Sequence, residues 1–250
     1  MISLIVFWLS VYAVFHSYVV FPAIIAIFSK GKKANKLIFK KDQDNLPQVS
    51  ILMSLFNEEE VIADKIQSIF KTSYPVEKIE ILIGSDASTD GTNEILREYE
   101  QHYRNIRFFE FTQRQGKANI INKLYEYAGG EILILTDANV MFDQNTIYEL
   151  VKHFKNPAIG LVDSQMININ LKKSGISIQE KSYISREVKI KHHESLIWGT
   201  MMGPFGGCFA VRKKWFAKVP ANFLVDDFYI NMKIIEKKHK AINNIQAKVY

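Results

Sequence analysis

From Leu46 onward the chain alternates short apolar runs with longer amphipathic ones. QVSILMS (48–54), EILIGS (80–85), NIRFFEF (105–111) and EILILTD (131–137) have the length and apolar content of buried strands. Helical patterns fill the gaps at 57–72, 90–103, 115–128 and 145–154. In the first of these, Val61, Ile62, Ile66, Ile69 and Phe70 share one face. Gly129 and Gly130 stand at the cap position of the third. Strand–helix alternation of this kind predicts an α/β fold, a mostly parallel sheet with helices on both faces. After about residue 158 the pattern loosens. It predicts a strand over 160–170, a long polar helix over 174–198, a glycine turn running into a strand over 206–213, and a helix over 226–238. No repeat and no linker divides residues 47–250, which read as one domain.

The N-terminal pattern is different. Ile2 to Phe28 contain no Asp, Glu, Lys or Arg. A helix of that length reaches roughly 40 Å at 1.5 Å per residue, and a bilayer's hydrocarbon core is about 30 Å thick. A signal peptide would carry a positive n-region, and an interfacial helix a charged face; both are missing. Residues 1–29 are therefore expected to form a transmembrane helix. Lys30, Lys32, Lys33, Lys36, Lys40 and Lys41 follow, in a basic juxtamembrane linker over 30–46. Positive charge marks the cytoplasmic end. The expected localisation is the cytoplasmic membrane, with the rest of the chain in the cytosol and membrane lipids as partners.

The net charge of +6 comes down to that cluster, since the remainder is close to neutral. The basicity is thus local and gives no nucleic-acid-binding face. Hydrophobic residues at 48% and charged residues at 23% exclude disorder and collagen. The single cysteine, Cys208, excludes a disulfide scaffold and fits a reducing compartment. No Cys/His cluster has zinc spacing.

Ligands of open parallel sheets bind at the carboxyl ends of the strands. The first strand ends in Ser54-Leu55-Phe56-Asn57-Glu58, the second in Ser85-Asp86-Ala87-Ser88-Thr89-Asp90, the fourth in Thr136-Asp137-Ala138-Asn139. Asp226 and Asp227 open a later helix, and Lys117 opens the third. Singly, each acid reads as a helix cap, and Asp90 before Gly91-Thr92 is expected to be one. Together, carboxylates without evident lysine partners repel unless a divalent cation bridges them. Mg²⁺ or Mn²⁺ is the expected cofactor, a hard cation that also holds a diphosphate. No GxGxxG, complete P-loop, GxSxG or HExxH occurs. His192 and His193 read as solvated.

The succession VSILMSLFNEEEVI, GSDASTDGT, QGKANIIN, LTDANVMFD, GPFGGCFAVRK and VDDFYINMKI resembles the family 2 glycosyltransferases of the GT-A fold, over residues 47–250. With its apolar N-terminus the chain is similar to the membrane-bound polysaccharide-synthase branch. The resemblance implies that Ser54, Phe56 and Glu58 hold the nucleotide base, Phe56 by stacking on uracil, and that Asp86 binds the uridine moiety. Lys117 is implied near the donor phosphates, and Asp137 and Asn139 at the metal and sugar diphosphate. Asp227 is implied as catalytic base with Asp226 beside it, and Gly206 and Gly207 near the acceptor. Ser54 stands where Pro is common, Ser85 and Asn139 where Asp is, and Asp226 where Glu is. A later Q-x-x-R-W motif would lie past Tyr250, so the domain is expected to be truncated at its C-terminus. The implied activity is inverting transfer from a nucleotide sugar, a UDP-sugar, to a hydroxyl of a saccharide or lipid-linked acceptor at the cytoplasmic membrane face. The alternatives are transfer to a polyprenyl phosphate and a catalytically inactive nucleotide-sugar-binding subunit.

Overall fold

The computed structural model describes residues 1–41, 43–167 and 176–250, with the side chains of 176–185 left out. The ends of two expected elements, at 168–170 and 174–175, lie outside the described residues.

The apolar runs become the strands β1 (Val49–Leu55), β2 (Ile79–Asp86), β3 (Ile106–Phe111), β4 (Ile132–Thr136), β5 (Ile159–Met166), β6 (Cys208–Arg212) and β7 (Lys240–Val249). They form one sheet in the order β3-β2-β1-β4-β6-β5-β7. β1 pairs in parallel with β2 and β4, β2 with β3, and β5 with β7. β6 runs antiparallel to both β4 and β5. The mostly parallel sheet is as expected; the reversal of β6 is not written in any local pattern.

Alternation along the strands builds two apolar layers. Ile51, Met53, Ile81, Ile83 and Ile134 pack on one face with Ile62, Ile66 and Ile69 of α3 (Ile62–Phe70). Leu52, Leu82, Leu133 and Leu135 pack on the other. There they meet Ile120, Ile121 and Leu124 of α5 (Lys117–Tyr127) and Ile230 and Ile234 of α8 (Asp226–Glu236). Between them in sequence lie α4 (Thr92–His102), α6 (Thr146–Val151) and α7 (Ile176–Trp198). α3 begins five residues later than the helical segment expected from 57, because Asn57 takes a left-handed φ of 54° and residues 57–61 form a turn. α6 ends early and passes into a 3-10 turn, Lys152–Lys155.

β1 and β4 approach closely at Gly130, where a Cβ would lie 2.5 Å from the Ser50 nitrogen. That nitrogen is backbone between paired strands and cannot give way. Gly130→Ala is expected to destabilise the domain by about 1–3 kcal/mol, the usual cost of overpacking, read as a lowered urea midpoint at unchanged slope.

Ile2–Phe28 form a continuous 27-residue helix, long and apolar enough to cross a membrane. It consists of α1 (Ile2–Phe15), a π turn at His16–Val20 and α2 (Phe21–Phe28). Its foot docks on α7. Ile25 is buried, and Ser29 Oγ lies 2.7 Å from His193 Nδ1. His192 and His193 are therefore half-buried packing residues rather than solvated ones. The basic segment after the helix lies along α6: Phe39 N donates to Lys152 O, and Tyr148 Oη donates to Phe39 O.

Candidate active site

β1, β2 and β4 run in the same direction, so the segments after Leu55, Asp86 and Thr136 emerge on one rim. β6 starts there too, since Cys208 pairs with Thr136. The rim thus collects Ser54, Phe56 and Glu58 from β1 and its turn, Asp86 from β2, and Asp137 and Asn139 from the turn after β4. Gly206 and Gly207 lead into β6 at the same place.

The first two loops are tied into one floor. Asn57 and Ala87 both take left-handed φ values, 54° and 60°. Asn57 Oδ1 accepts from Thr89 N at 2.8 Å, and Glu58 N donates to Thr92 Oγ1 at 2.8 Å. Asp90 caps its own turn, accepting from Thr92 N at 3.1 Å. Asp90 is therefore a structural residue, as its Gly-Thr context predicts.

Phe56 stands on this floor 41% exposed, which is incompatible with a core-packing role. The Arg114 guanidinium lies over its ring, 3.5 Å from the centroid, and Arg114 Nε is 3.2 Å from Asp86 Oδ2. Asp86 also accepts from Gln115 N at 2.6 Å and Gly116 N at 2.9 Å. Three of its roughly four acceptor positions are taken. It thus fixes the loop that delivers Arg114 and Lys117 to the rim.

The electrostatics bring the two halves of the rim together. Lys117 Nζ donates to Asp137 Oδ1 at 2.6 Å. Burial lowers the proton affinity of Lys117, but the fields of Asp137, Asp226 and Asp227 outweigh it and raise the pKa. One ammonium therefore serves three carboxylates from two elements, which corrects the expectation that these acids lack a lysine partner. Glu58 is raised by burial and then by Asp137 and Asp90. Asp227 is raised by burial and by Asp226, against a hydrogen bond from Phe228 N at 2.7 Å and the charges of Lys117 and Lys191. The helix N-terminus favours its ionised form, but burial wins. The Gly206 turn closes on Asp227 so tightly that a Cβ would fall 2.7 Å from Asp227 Oδ2.

Two residues on or under this rim were not singled out from sequence. Arg114 sits two positions before Gly116-Lys117 and had no motif of its own. Lys65 lies fully buried behind the Asp137 turn, where burial pushes its ammonium down to about 7. Its signal was visible: a lysine on the apolar stripe of α3, between Ile62 and Ile66.

The comparisons with known proteins agree on the family of the chain. Residues 50–219 match the profile of Glycosyl transferase family 2. The chain belongs to family 2 of the glycosyltransferases. That match contains every rim residue named here except Asp226 and Asp227. The chain is 31% identical over 208 residues to a poly-beta-1,6-N-acetyl-D-glucosamine synthase of Staphylococcus epidermidis, covering 81% of this chain and 49% of that one. It is 29% identical over 174 residues to the Staphylococcus aureus (strain COL) protein of the same name, covering 68% and 40%. The chain therefore spans about half the length of the curated relatives it matches. Among solved structures it is similar to the mannosyltransferase PcManGT from Pyrobaculum calidifontis in complex with GDP-Man and Mn²⁺. The TM-score is 0.76 at 22% identity, covering 95% of this chain and 66% of that one. It is also similar to S. aureus TarS 1-349 in complex with UDP-GlcNAc, with TM-score 0.61 at 16% identity, covering 81% and 57%. This family 2 glycosyltransferase therefore has the GT-A type of fold.

The rim offers few ligands to a divalent cation. Among the described residues no three His, Cys, Asp or Glu side chains converge as a metal cage. Asp137, partly exposed, and the exposed Asn139 offer one charged and one neutral oxygen, and Asp137 already holds a cation in the form of Lys117. Mg²⁺ commonly takes one or two carboxylates plus substrate phosphates and water. The residues fit a cation bound together with a diphosphate, not one bound alone.

Proposed function

We propose that this glycosyltransferase transfers a sugar, with inversion, from a UDP-sugar to a hydroxyl of a saccharide or lipid-linked acceptor at the cytoplasmic face of a membrane. The observation that carries the reading is the grouping of Asp137, Asp226 and Asp227 around Lys117, next to the Phe56–Arg114–Asp86 cluster. It gives one rim a platform for a flat base, a diphosphate position and a candidate base.

In this reading Phe56 stacks on the uracil and Asp86 and Arg114 bind its polar edge, with Ser54 and Glu58 flanking the nucleotide. A cation held by Asp137, Asn139 and the diphosphate would neutralise charge on the leaving group. Lys117 donates to the diphosphate as the bond to the sugar breaks. Asp227 takes the proton of the acceptor hydroxyl as its oxygen attacks the anomeric carbon, because an un-ionised hydroxyl is a weak nucleophile. A raised proton affinity makes Asp227 a stronger acceptor for that proton. Gly206 and Gly207 form the acceptor-side turn, with Gly206 packed against Asp227. The names of the relatives make UDP-N-acetylglucosamine the first donor to test.

The test is nucleotide release by the purified full chain with a panel of donors. One UDP-sugar is expected to be turned over well above the GDP-sugars. Release from GDP-sugars alone, or from none, contradicts the reading.

Topology is tested separately. With the N-terminal helix spanning and Lys30 to Lys41 inside, a tag inserted after Lys41 is expected to resist external protease in intact spheroplasts. Cleavage from outside would overturn both the orientation and the cytosolic donor site.

A further inference from the structure

On α3 the core-facing stripe runs Ile62, Ile66, Ile69, and Lys65 lies in the same stripe with 0% exposure. A buried ammonium is costly unless every donor finds a partner. Lysine has three donors, and here each has one. Lys65 Nζ donates to Thr136 Oγ1 at 2.9 Å and to Val140 O, and it lies 3.8 Å from the centroid of the Phe142 ring. None of the three goes to a carboxylate. Thr136 and Val140 are the residues that bracket Asp137-Ala138-Asn139. One nitrogen thus ties both ends of the turn together.

The tie continues outward. Thr136 Oγ1 donates to Gly207 O at 3.2 Å, and Asp137 N donates to the same oxygen at 3.1 Å. Gly207 follows Gly206, which packs against Asp227. A short chain of hydrogen bonds therefore runs from Lys65 through the donor-side turn to the acceptor-side turn.

We propose that Lys65 is a positioning residue that clamps the 136–140 turn to the glycine turn and so sets the donor-side geometry; the claim rests on the reading of Asp137 and Asn139 given above. Methionine would fill the same space but leave the Val140 carbonyl without its donor and the turn free to open.

The test uses the full chain with Lys65→Met, and with Thr136→Val to remove the same anchor from its other end. Hydrogen exchange without nucleotide is read first. Lys65→Met is expected to speed exchange of the Asp137 and Val140 amides about tenfold or more, with the amides of β2 and β3 unchanged. UDP affinity in Mn²⁺ is expected to fall about tenfold. A cycle with Asn139→Ala is expected to be non-additive, because both changes act through one turn. Thr136→Val is expected to repeat the exchange effect in weaker form, and it decides the matter if Lys65→Met does not fold. Unchanged exchange at Asp137 and Val140 overturns the proposal. So does acceleration spread evenly through the sheet, or an additive cycle, either of which would make Lys65 a core residue only. If the unmodified chain binds no UDP, the donor-site reading fails, while the exchange data still judge the clamp.

Discussion

Asp227→Asn is expected to lower the transfer rate by about 10²–10⁴, the usual contribution of a positioned general base. Asparagine keeps the shape but cannot accept a proton. Donor affinity is expected to stay unchanged, because Asp227 faces the Gly206 turn rather than the Phe56 platform. The pH profile adds a second reading. Burial and Asp226 raise the pKa of Asp227, so the rate should fall as pH drops through that raised value. Asp226→Asn removes a negative neighbour, which lowers the Asp227 pKa and moves the acid limb to lower pH. Its own rate loss should be smaller. Steady-state transfer and donor binding across pH, for both variants, check all of this. Normal transfer by Asp227→Asn would remove the base assignment and favour a phosphate acceptor, whose oxygen needs little help in losing a proton. Loss of donor binding in place of turnover would move Asp227 to the donor side.

Asp137→Ala carries the second large effect. Asp137 supplies the charge of the expected Asp137–Asn139 cation position, and hydrogen bonds to charged groups contribute about 1.5–3 kcal/mol each. UDP binding is expected to weaken roughly 10–100-fold in Mn²⁺ and to lose its response to chelator. In the unmodified chain, chelator should weaken binding and Mn²⁺ or Mg²⁺ should restore it. The substitution also frees Lys117 from its 2.6 Å partner and removes one of the charges that raise Glu58. Titration calorimetry with and without chelator reads both states. Affinity in the unmodified chain that ignores chelator would mean Lys117 alone carries the diphosphate charge.

What the sequence made legible was whatever follows from local pattern. Short apolar runs placed six of the seven strands, and in a parallel sheet the strand ends then fix where Glu58, Asp86 and Asp137 emerge. The reversal of β6 was hidden, because it depends on pairing with β4, roughly seventy residues away in sequence. The late start of α3 was hidden for a different reason. Its apolar face begins at Val61, but Asn57 adopts a left-handed turn stabilised by Thr89 and Ser88 of another loop. The Lys117–Asp137 contact is likewise long-range, so the acids read as lacking a lysine. Lys65 is legible as an anomaly, a lysine in the apolar stripe of α3, but its partners Thr136 and Val140 come from a distant turn. Arg114 needed the fold, since only the packing of two loops puts its guanidinium on Phe56.

The most direct measurement is a structure of the full chain with UDP and Mn²⁺. Uracil is expected on the face of Phe56, with Arg114 displaced from that ring and Asp86 at the base edge. The diphosphate is expected between Lys117 and the Asp137–Asn139 turn, with Asp227 on the acceptor side. Nucleotide found elsewhere, such as in the groove lined by Gln67, Tyr99 and Tyr103 between α3 and α4, would contradict this placement.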